Sequence, residues 1–188
     1  MQQKIILITA PSGAGKTSIV QYLLRQHPNL FAFSVSAATR QPRNNEVNGV
    51  DYYFITETEF NQHIQNNDFV EWEMVYQGKY YGTLKSELKR IWAQGKTPIL
   101  DIDVKGAIHV QQQYAAQCLS IFIQPPSVAA LTARLQSRGT ETAATLQARI
   151  DKASYELTFR NHFNYSVIND VLTTACTQTE ALLLQFVK

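Results

Sequence analysis

Residues 4–20, KIILITAPSGAGKTSIV, place a glycine-rich loop directly between an apolar run and a helical pattern. The apolar and β-branched run at residues 4–10 is typical of a buried strand in a parallel sheet. From residue 16 to residue 27 the apolar positions follow helical spacing, and Pro28 ends that pattern. These patterns therefore predict a strand, a tight loop and a helix in direct succession.

The loop is close to the pattern G-x-x-x-x-G-K-[ST], with Ala10 at the position of the first glycine. In such a loop the backbone N–H groups and the helix N-terminus bind phosphate, a lysine reaches the β- and γ-phosphates, and a hydroxyl ligates Mg²⁺. An ordinary strand-to-helix turn is the alternative interpretation. The predicted ATP contacts in the loop are Pro11, Ser12, Gly13, Ala14, Gly15, Lys16, Thr17 and Ser18.

Further strand and helix patterns alternate along the chain, which predicts an α/β fold with a parallel sheet flanked by helices. The predicted strands after the first are residues 31–36, 98–103, 118–124 and 165–170. The predicted helices after the first are residues 84–95, 127–138, 145–157 and 177–187.

Residues 37–83 differ in character, because they are polar, aromatic and rich in asparagine and arginine. Short strand-like pieces such as DYYFI and FVEWEMVY surround one short helical pattern at about residues 57–66. This composition indicates an inserted lobe of mixed strands and helix rather than a continuation of the parallel sheet.

The bulk composition is that of an ordinary globular domain, with 188 residues, 45% hydrophobic and 17% charged. A net charge of +2 gives no reason to expect a nucleic-acid surface. The apolar run near the N-terminus is too short for a signal peptide or a membrane span, and two distant cysteines make no disulfide framework. We therefore expect a cytoplasmic protein without a membrane or nucleic-acid partner.

Carboxylates end the predicted strand ILDID, where a P-loop protein is expected to place a metal or nucleotide contact. Asp101 and Asp103 should share one face of that strand, because side chains alternate with a period of two. Pairing with nearby arginines is the alternative. The four histidines have no metal-ligand spacing and are taken as non-catalytic.

Arginines are the remaining candidates, since phosphoryl transfer needs positive charge around the equatorial oxygens. Arg40 and Arg43 lie on either side of Pro42. Three further candidates lie in the second half of the chain, and they are Arg134, Arg138 and Arg149. Arg138 precedes a glycine in a polar stretch between two helices, which suits a mobile lid. Solvated surface arginines are the alternative for the others.

The whole chain, from about residue 4 to residue 187, resembles guanylate kinase. The motifs that carry the resemblance occur in order and with the family's spacing: APSGAGKT, FSVSAATRQPR, EVNGVDYYF, VEWEMVYQGKYYGT, ILDIDVKGA, QPPSVAAL, LQSRGTET and VIND. The resemblance implies a kinase that transfers a phosphoryl group from MgATP to GMP, with a P-loop NTPase-type core. It also implies one domain over residues 1–188, with a core at 1–34 and 84–188, a GMP-binding lobe at 35–83 and a lid at about 138–148.

The resemblance assigns site residues for both substrates. It implies GMP contacts at Ser36, Arg40, Arg43, Tyr52, Glu71, Tyr81, Gly82, Thr83, Asp103 and Arg149. The ATP contacts beyond the loop are Arg134, Arg138 and Asn169, and the metal contacts are Thr17 and Asp101, the latter directly or through water. The implied catalytic residues are Lys16, Arg43, Arg138 and Arg149.

Within the implied GMP site, Glu71 reads guanine because one carboxylate accepts from two adjacent donors, N1–H and N2–H₂. Thr83 stands where the family usually has serine, and Ala37 and Ala38 replace hydroxyl residues. Other interpretations are a non-catalytic scaffold module, a P-loop GTPase, and a kinase for another nucleoside monophosphate. The present P-loop, the missing N-K-x-D segment and Glu71 argue against each in turn. The chain is expected to be a monomer or a homo-oligomer.

Overall fold

The computed structural model describes residues 3–43, 45–137 and 143–188. The strands are β1 (Ile5–Thr9), β2 (Phe31–Phe33), β3 (Ser36–Ala38), β4 (Tyr52–Phe54), β5 (Phe69–Tyr76), β6 (Lys79–Leu84), β7 (Thr97–Asp101), β8 (Cys118–Gln124) and β9 (Tyr165–Ile168). The helices are α1 (Lys16–Gln26), α2 (Glu57–Gln65), α3 (Lys85–Ala93), α4 (Val104–Tyr114), α5 (Val128–Ser137), α6 (Ala143–Leu157) and α7 (Leu172–Val187).

The core is a parallel sheet with strand order β2-β7-β1-β8-β9. All five residues of β1 are fully buried, and the side chains of the first four alternate between two apolar clusters. Ile6 and Ile8 belong to the cluster that includes residues of α1, α5 and α7, whereas Ile5 and Leu7 belong to the cluster that includes residues of α3 and α4. Burial on both faces explains the continuous apolar run of β1. The predicted α/β fold with a helix-flanked parallel sheet is confirmed.

A second sheet has strand order β4-β3-β6-β5 and mixes one parallel pair with two antiparallel pairs. Helix α2 packs on it through Phe60, whose ring stacks on Phe69 with centroids 4.4 Å apart. A capping box at Thr56 and Glu59 fixes the start of α2. This sheet and helix fall within the polar segment that the sequence separates from the core.

Three local predictions need correction. The predicted strand at residues 31–36 divides, because β2 pairs with β7 in the core sheet and β3 pairs with β4 and β6 in the second sheet. Helix α4 was not predicted, and the last helix begins at Leu172 rather than near residue 177. Among the described residues, no helix is both long and apolar enough to span a membrane.

Candidate active site

A cavity of about 440 Å³ opens between the carboxyl ends of β1 and β7, the N-terminus of α1 and the second sheet. Sixteen of the predicted site residues line it, and they are Pro11, Ser12, Gly13, Gly15, Lys16, Thr17, Ser18, Ser36, Arg43, Tyr52, Glu71, Tyr81, Gly82, Asp101, Asp103 and Arg149. Residues predicted for both substrates therefore share one space. Ligands bind at this edge of open α/β sheets because strand ends and helix N-termini converge there.

The loop before α1 is shaped by two glycines. Gly13 and Gly15 have φ angles of 91° and 93°, in the left-handed region that side chains disfavour. A Cβ on Gly15 would also lie 2.1 Å from the amide nitrogen of Asn169. Helix α1 begins at Lys16, so the free N–H groups of its first turn face the cavity entrance. This arrangement is suited to an anion.

Asn169 supports the loop from behind. Its Nδ2 donates to the carbonyl oxygen of Ala14 at 2.7 Å, and its side chain is buried. The backbone carbonyl oxygen of Asn169 accepts a hydrogen bond from Nη2 of Arg134 at 2.9 Å. Asn169 and Arg134 thus lie behind the loop rather than on the cavity wall, and their predicted nucleotide contacts remain predictions.

Lys16 and Asp101 form an ion pair inside the cavity, and the Nζ of Lys16 lies 3.5 Å from the carbonyl oxygen of Ile102. Asp101 is the last residue of β7. Asp103 is not on the strand, which corrects the predicted shared strand face. It is the N-cap of α4 and accepts from the backbone N–H of Gly106 at 2.8 Å. Both carboxylates still line the cavity, because the chain turns into the helix there.

No cluster of three or more histidine, cysteine or acidic side chains with metal-binding geometry occurs in the part of the chain that the structure describes. The oxygen groups of Thr17 and Asp101 both line the cavity. Such a sparse set fits Mg²⁺, which keeps several waters and usually takes one or two protein oxygens together with substrate phosphates.

The described arginines occupy different places around the cavity. Arg149, on α6, donates from Nη1 to the hydroxyl of Ser12 at 3.3 Å, which places its guanidinium beside the loop. Arg43 lines the opposite wall. Arg138 and most of the first half of the predicted lid lie outside the described residues, while residues 143–148 belong to α6.

Arg40 is held by Glu46 of the same loop and by two tyrosines of the second sheet. Its Nη1 and Nη2 donate to both carboxylate oxygens of Glu46 at 2.6 and 2.7 Å, and its Nε lies 3.2 Å from the hydroxyl of Tyr81. The guanidinium also lies over the Tyr52 ring, 4.9 Å from its centroid. These bonds to Arg40 lower the pKa of Glu46 to about 2. Arg40 is therefore bound by the protein's own side chains, and its charge lies next to Tyr52 and Tyr81, which line the cavity.

Glu71 is a buried carboxylate at the cavity wall. Only 7% of its surface is exposed, and its Oε1 accepts a hydrogen bond of 2.7 Å from the Thr83 hydroxyl on the neighbouring strand. Burial raises the pKa of Glu71 to about 7, and the hydrogen bond from Thr83 opposes that rise. The nearby charge of Asp103 adds to it. A carboxylate in this setting gains strongly from two correctly placed N–H donors.

Several cavity residues were missed from the sequence. Glu73, Val75, Ile102, Lys152 and Glu156 join the wall, together with Ala10 at the end of β1. Burial raises the pKa of Glu156, which pairs with Lys152 at 3.7 Å. The helical i, i+4 spacing of that pair was visible in the sequence, but nothing in the spacing indicates that this helix face meets the cavity.

The family model and the curated relatives point to the same family. The guanylate kinase family model matches residues 2–185. A guanylate kinase from Bacteroides thetaiotaomicron is 44% identical over 99% of this chain and 91% of its own length. One from Porphyromonas gingivalis is also 44% identical, over 98% of both chains.

A solved structure agrees with the sequence relatives. The crystal structure of guanylate kinase from Anaplasma phagocytophilum superposes with a TM-score of 0.75 at 25% identity, covering 97% of this chain and 85% of that one. The alignment therefore extends over both sheets of this chain. With the family model spanning nearly every residue, the chain belongs to the guanylate kinase family.

Proposed function

We propose that this chain transfers the γ-phosphoryl group of MgATP to GMP, giving ADP and GDP, and that dGMP is also an acceptor. Membership of the guanylate kinase family makes it a nucleoside monophosphate kinase. The observation that carries the acceptor assignment is the buried Glu71 carboxylate, bonded to Thr83 and facing the same cavity as the phosphate-binding loop.

Glu71 recognises guanine through the acceptor lone pairs of its carboxylate that Thr83 leaves free. Thr83 occupies one lone pair of Oε1, which leaves Oε2 and the rest of Oε1 free to accept from the N1–H and N2–H₂ of guanine. Adenine offers no such pair of donors, so it would leave a buried carboxylate without partners. Sites of this kind discriminate by roughly 10⁴-fold or more.

The phosphate of GMP is bound by hydroxyls and guanidinium groups on the second sheet. Ser36, Tyr52 and Tyr81 line the cavity, and the rings of Tyr52 and Tyr81 meet edge to face at 5.9 Å. Arg43 lines the same wall, and Arg40 lies directly behind it. Gly82, Asp103 and Arg149 complete the proposed acceptor contacts.

The triphosphate of ATP lies along residues 11–18, where the backbone N–H groups and Lys16 bind its β- and γ-phosphates. Arg134, Arg138 and Asn169 are the further proposed contacts on this side. Mg²⁺ would be held by Thr17 and by Asp101, directly or through water, and it would neutralise charge between the β- and γ-phosphates.

No general base is needed, because the acceptor is already an anionic phosphate. The chain accelerates the reaction by holding the two phosphates in line and by surrounding the transferred group with positive charge. Lys16, Arg43, Arg138 and Arg149 supply that charge from different sides. The lobe at residues 35–83 and the lid at 138–148 close over the substrates and exclude water, which suppresses ATP hydrolysis.

The setting of the enzyme follows from its substrates. Two free cysteines, Cys118 and Cys176, suit a reducing cytoplasm, where ATP and nucleoside monophosphates are available. The proposed partners are these small molecules, with neither nucleic acid nor a membrane, and the enzyme acts as a monomer or a homo-oligomer.

A coupled assay for ADP tests the proposal. MgATP is supplied with GMP, dGMP, AMP, UMP or CMP in turn, and ATP alone serves as the control for hydrolysis. We expect GMP to give a kcat/KM at least about 10³-fold above that of AMP. Higher turnover with AMP or UMP than with GMP would refute the assignment of the acceptor.

A further inference from the structure

The first turn of α4 lies directly against the carboxylate of Glu71. A Cβ built on Gly106 would fall 2.5 Å from Oε2 of Glu71 and 3.2 Å from its Cδ. The next atom, Oδ1 of Asp103, would be 3.3 Å away. Any residue other than glycine at this position would therefore displace the guanine-reading carboxylate or the helix.

Neither partner in this contact can move freely. Glu71 is buried, bonded to Thr83 and carried by a strand that pairs along its length with β6. The start of α4 is fixed by Asp103, whose side chain accepts from the N–H of Gly106 at 2.8 Å. A side chain at residue 106 would thus act on the pose of Glu71 rather than find space elsewhere.

The backbone gives no other reason for glycine here. Gly106 lies within the helix and is not among the glycines with a positive φ, so an alanine could adopt its dihedral angles. Glycine in a helix is less favourable than alanine, because it loses more conformational entropy on folding. The requirement for glycine is therefore local space beside Glu71.

We propose that Gly106 is a positioning residue for guanine recognition, which allows α4 to approach Glu71 and fixes the carboxylate in the pose that accepts from the base. The inference rests on the proposed function. It assigns an indirect role in acceptor specificity to a residue outside the cavity lining, on an element that the sequence patterns did not reveal.

The Gly106→Ala variant tests this role through a split between the two substrates. We expect its kcat/KM for GMP to fall roughly 10-fold to 100-fold, mainly through KM, because a displacement of about 1 Å is costly at such a site. The KM for ATP should stay unchanged, since the loop lies elsewhere. The melting temperature should not fall by more than a few degrees, because alanine favours the helix. Gln112→Ala, at an exposed position of the same helix, is the matched control.

A double-mutant cycle separates positioning from direct contact with the nucleotide. Glu71→Ala removes both atoms that lie nearest to the added methyl. In that background Gly106→Ala should change kcat/KM for GMP by less than about twofold, since coupled residues are non-additive. An equal loss in both backgrounds would mean that the methyl contacts GMP itself, and the proposal would be overturned.

Three further outcomes are informative. If Gly106→Ala does not fold, the double variant with Glu71→Ala must fold, and failure of both overturns the steric account. If Gly106→Ala matches the wild type while the wild type phosphorylates GMP, this inference alone is wrong. If the wild type produces no ADP with GMP, the proposed function fails first.

Discussion

The side of the cavity proposed to bind ATP and the side proposed to bind GMP present different kinds of chemical group. On the donor side, residues 11–18 offer mainly backbone N–H groups, and the buried side chain of Asn169 supports the loop through a hydrogen bond to Ala14. On the acceptor side the recognising groups are side chains already bonded to one another, as in the pairs Glu71–Thr83 and Arg40–Glu46. We propose that the backbone loop binds the phosphates of any nucleotide, whereas the two side-chain pairs divide the acceptor, with Glu71 taking the base and Arg40 lying beside its phosphate.

The two sides should therefore respond differently to substitution. The proposed donor site depends on loop geometry and on the Lys16 charge within the loop, so removal of that charge should lower activity with every acceptor. The acceptor site depends on the balance between burial and hydrogen bonding at a few groups, so substitutions there should change selectivity before they change ATP binding. The substitutions below probe that contrast in order of decreasing effect.

Lys16→Ala should have the largest effect. Removal of the charge next to the β- and γ-phosphates should lower kcat by about 10³-fold with GMP and dGMP alike, because electrostatic stabilisation of the transferred group is lost. ADP production is the measurement, and circular dichroism checks the fold. Lys89→Ala, on the exposed face of α3, is the control. Retained GMP-dependent turnover would contradict the role of the loop.

Glu71→Gln should come next and should affect only the acceptor. Glutamine keeps the size of the side chain but replaces one acceptor oxygen with an NH₂ donor that opposes a guanine N–H. We expect kcat/KM for GMP to fall by about 10²-fold and the KM for ATP to be unchanged. Glu57→Gln, on the exposed face of α2, is the matched control. An unchanged preference for GMP over AMP would break the contrast between the two sides.

The sequence reveals the donor side more completely than the acceptor side. The strand, loop and helix around Lys16 are contiguous, so spacing alone predicts their arrangement. The clearest acceptor signal, Glu71 with Thr83, comes from resemblance to a family. Their hydrogen bond joins the neighbouring strands β5 and β6. Local sequence patterns do not encode which strands pair or how deeply a carboxylate is buried.

The errors have the same origin. The alternating run at residues 31–36 predicts one strand, but the chain leaves the core sheet after Phe33 and enters the second sheet at Ser36. The helical pattern of α4 is weakened by Gly106, a poor helix former that lies against Glu71. The pairing of Glu46 with Arg40 was also missed, since the two lie in a segment without regular periodicity. Contacts between residues distant in sequence decided the first two cases, whereas Arg40 and Glu46 are only six residues apart.

The pH dependence should separate the two sides further. The pKa of Glu71 is raised to about 7, so the carboxyl is protonated in a growing fraction of the free enzyme below that pH. A protonated group cannot accept both guanine donors, so kcat/KM for GMP should fall about tenfold from pH 8 to pH 6. The profile is compared with that of Glu71→Gln, which retains only the titration of the nucleotide phosphate and of other groups. Parallel profiles would refute the role of Glu71 ionisation.

The same pKa has a consequence for stability, with a defined sign. A carboxyl whose folded pKa is raised binds more protons in the folded state, so its contribution is fully present below the ordinary value near 4.5 and is lost as pH rises through about 7. Urea unfolding of wild type and Glu71→Gln at several pH values should therefore show the wild type losing relative stability across that window. A constant difference would mean that the pKa of Glu71 is not raised.

Asn169→Ala should loosen the donor side without affecting the base. The variant removes the hydrogen bond to the carbonyl oxygen of Ala14 and leaves that buried acceptor without this partner. We expect a loss of about 1–3 kcal/mol in unfolding free energy and a rise of a few-fold in the KM for ATP. Measured selectivity between GMP and AMP should stay constant. A selective loss of GMP affinity would contradict the assignment of Asn169 to the ATP side of the cavity.

Thr83→Ser should have the smallest effect and sharpens the account of the acceptor side. Serine retains the hydroxyl that donates to Glu71 and removes only a methyl group, so kcat/KM for GMP should stay within about threefold of the wild type. Thr83→Val keeps the shape and removes the donor, and it should cost about tenfold, because the buried Oε1 loses a partner. Valine matching serine would show that Thr83 contributes packing alone. Because valine replaces the threonine hydroxyl with a methyl group of similar size, the difference between Thr83→Val and the wild type isolates one hydrogen bond at the carboxylate proposed to bind guanine.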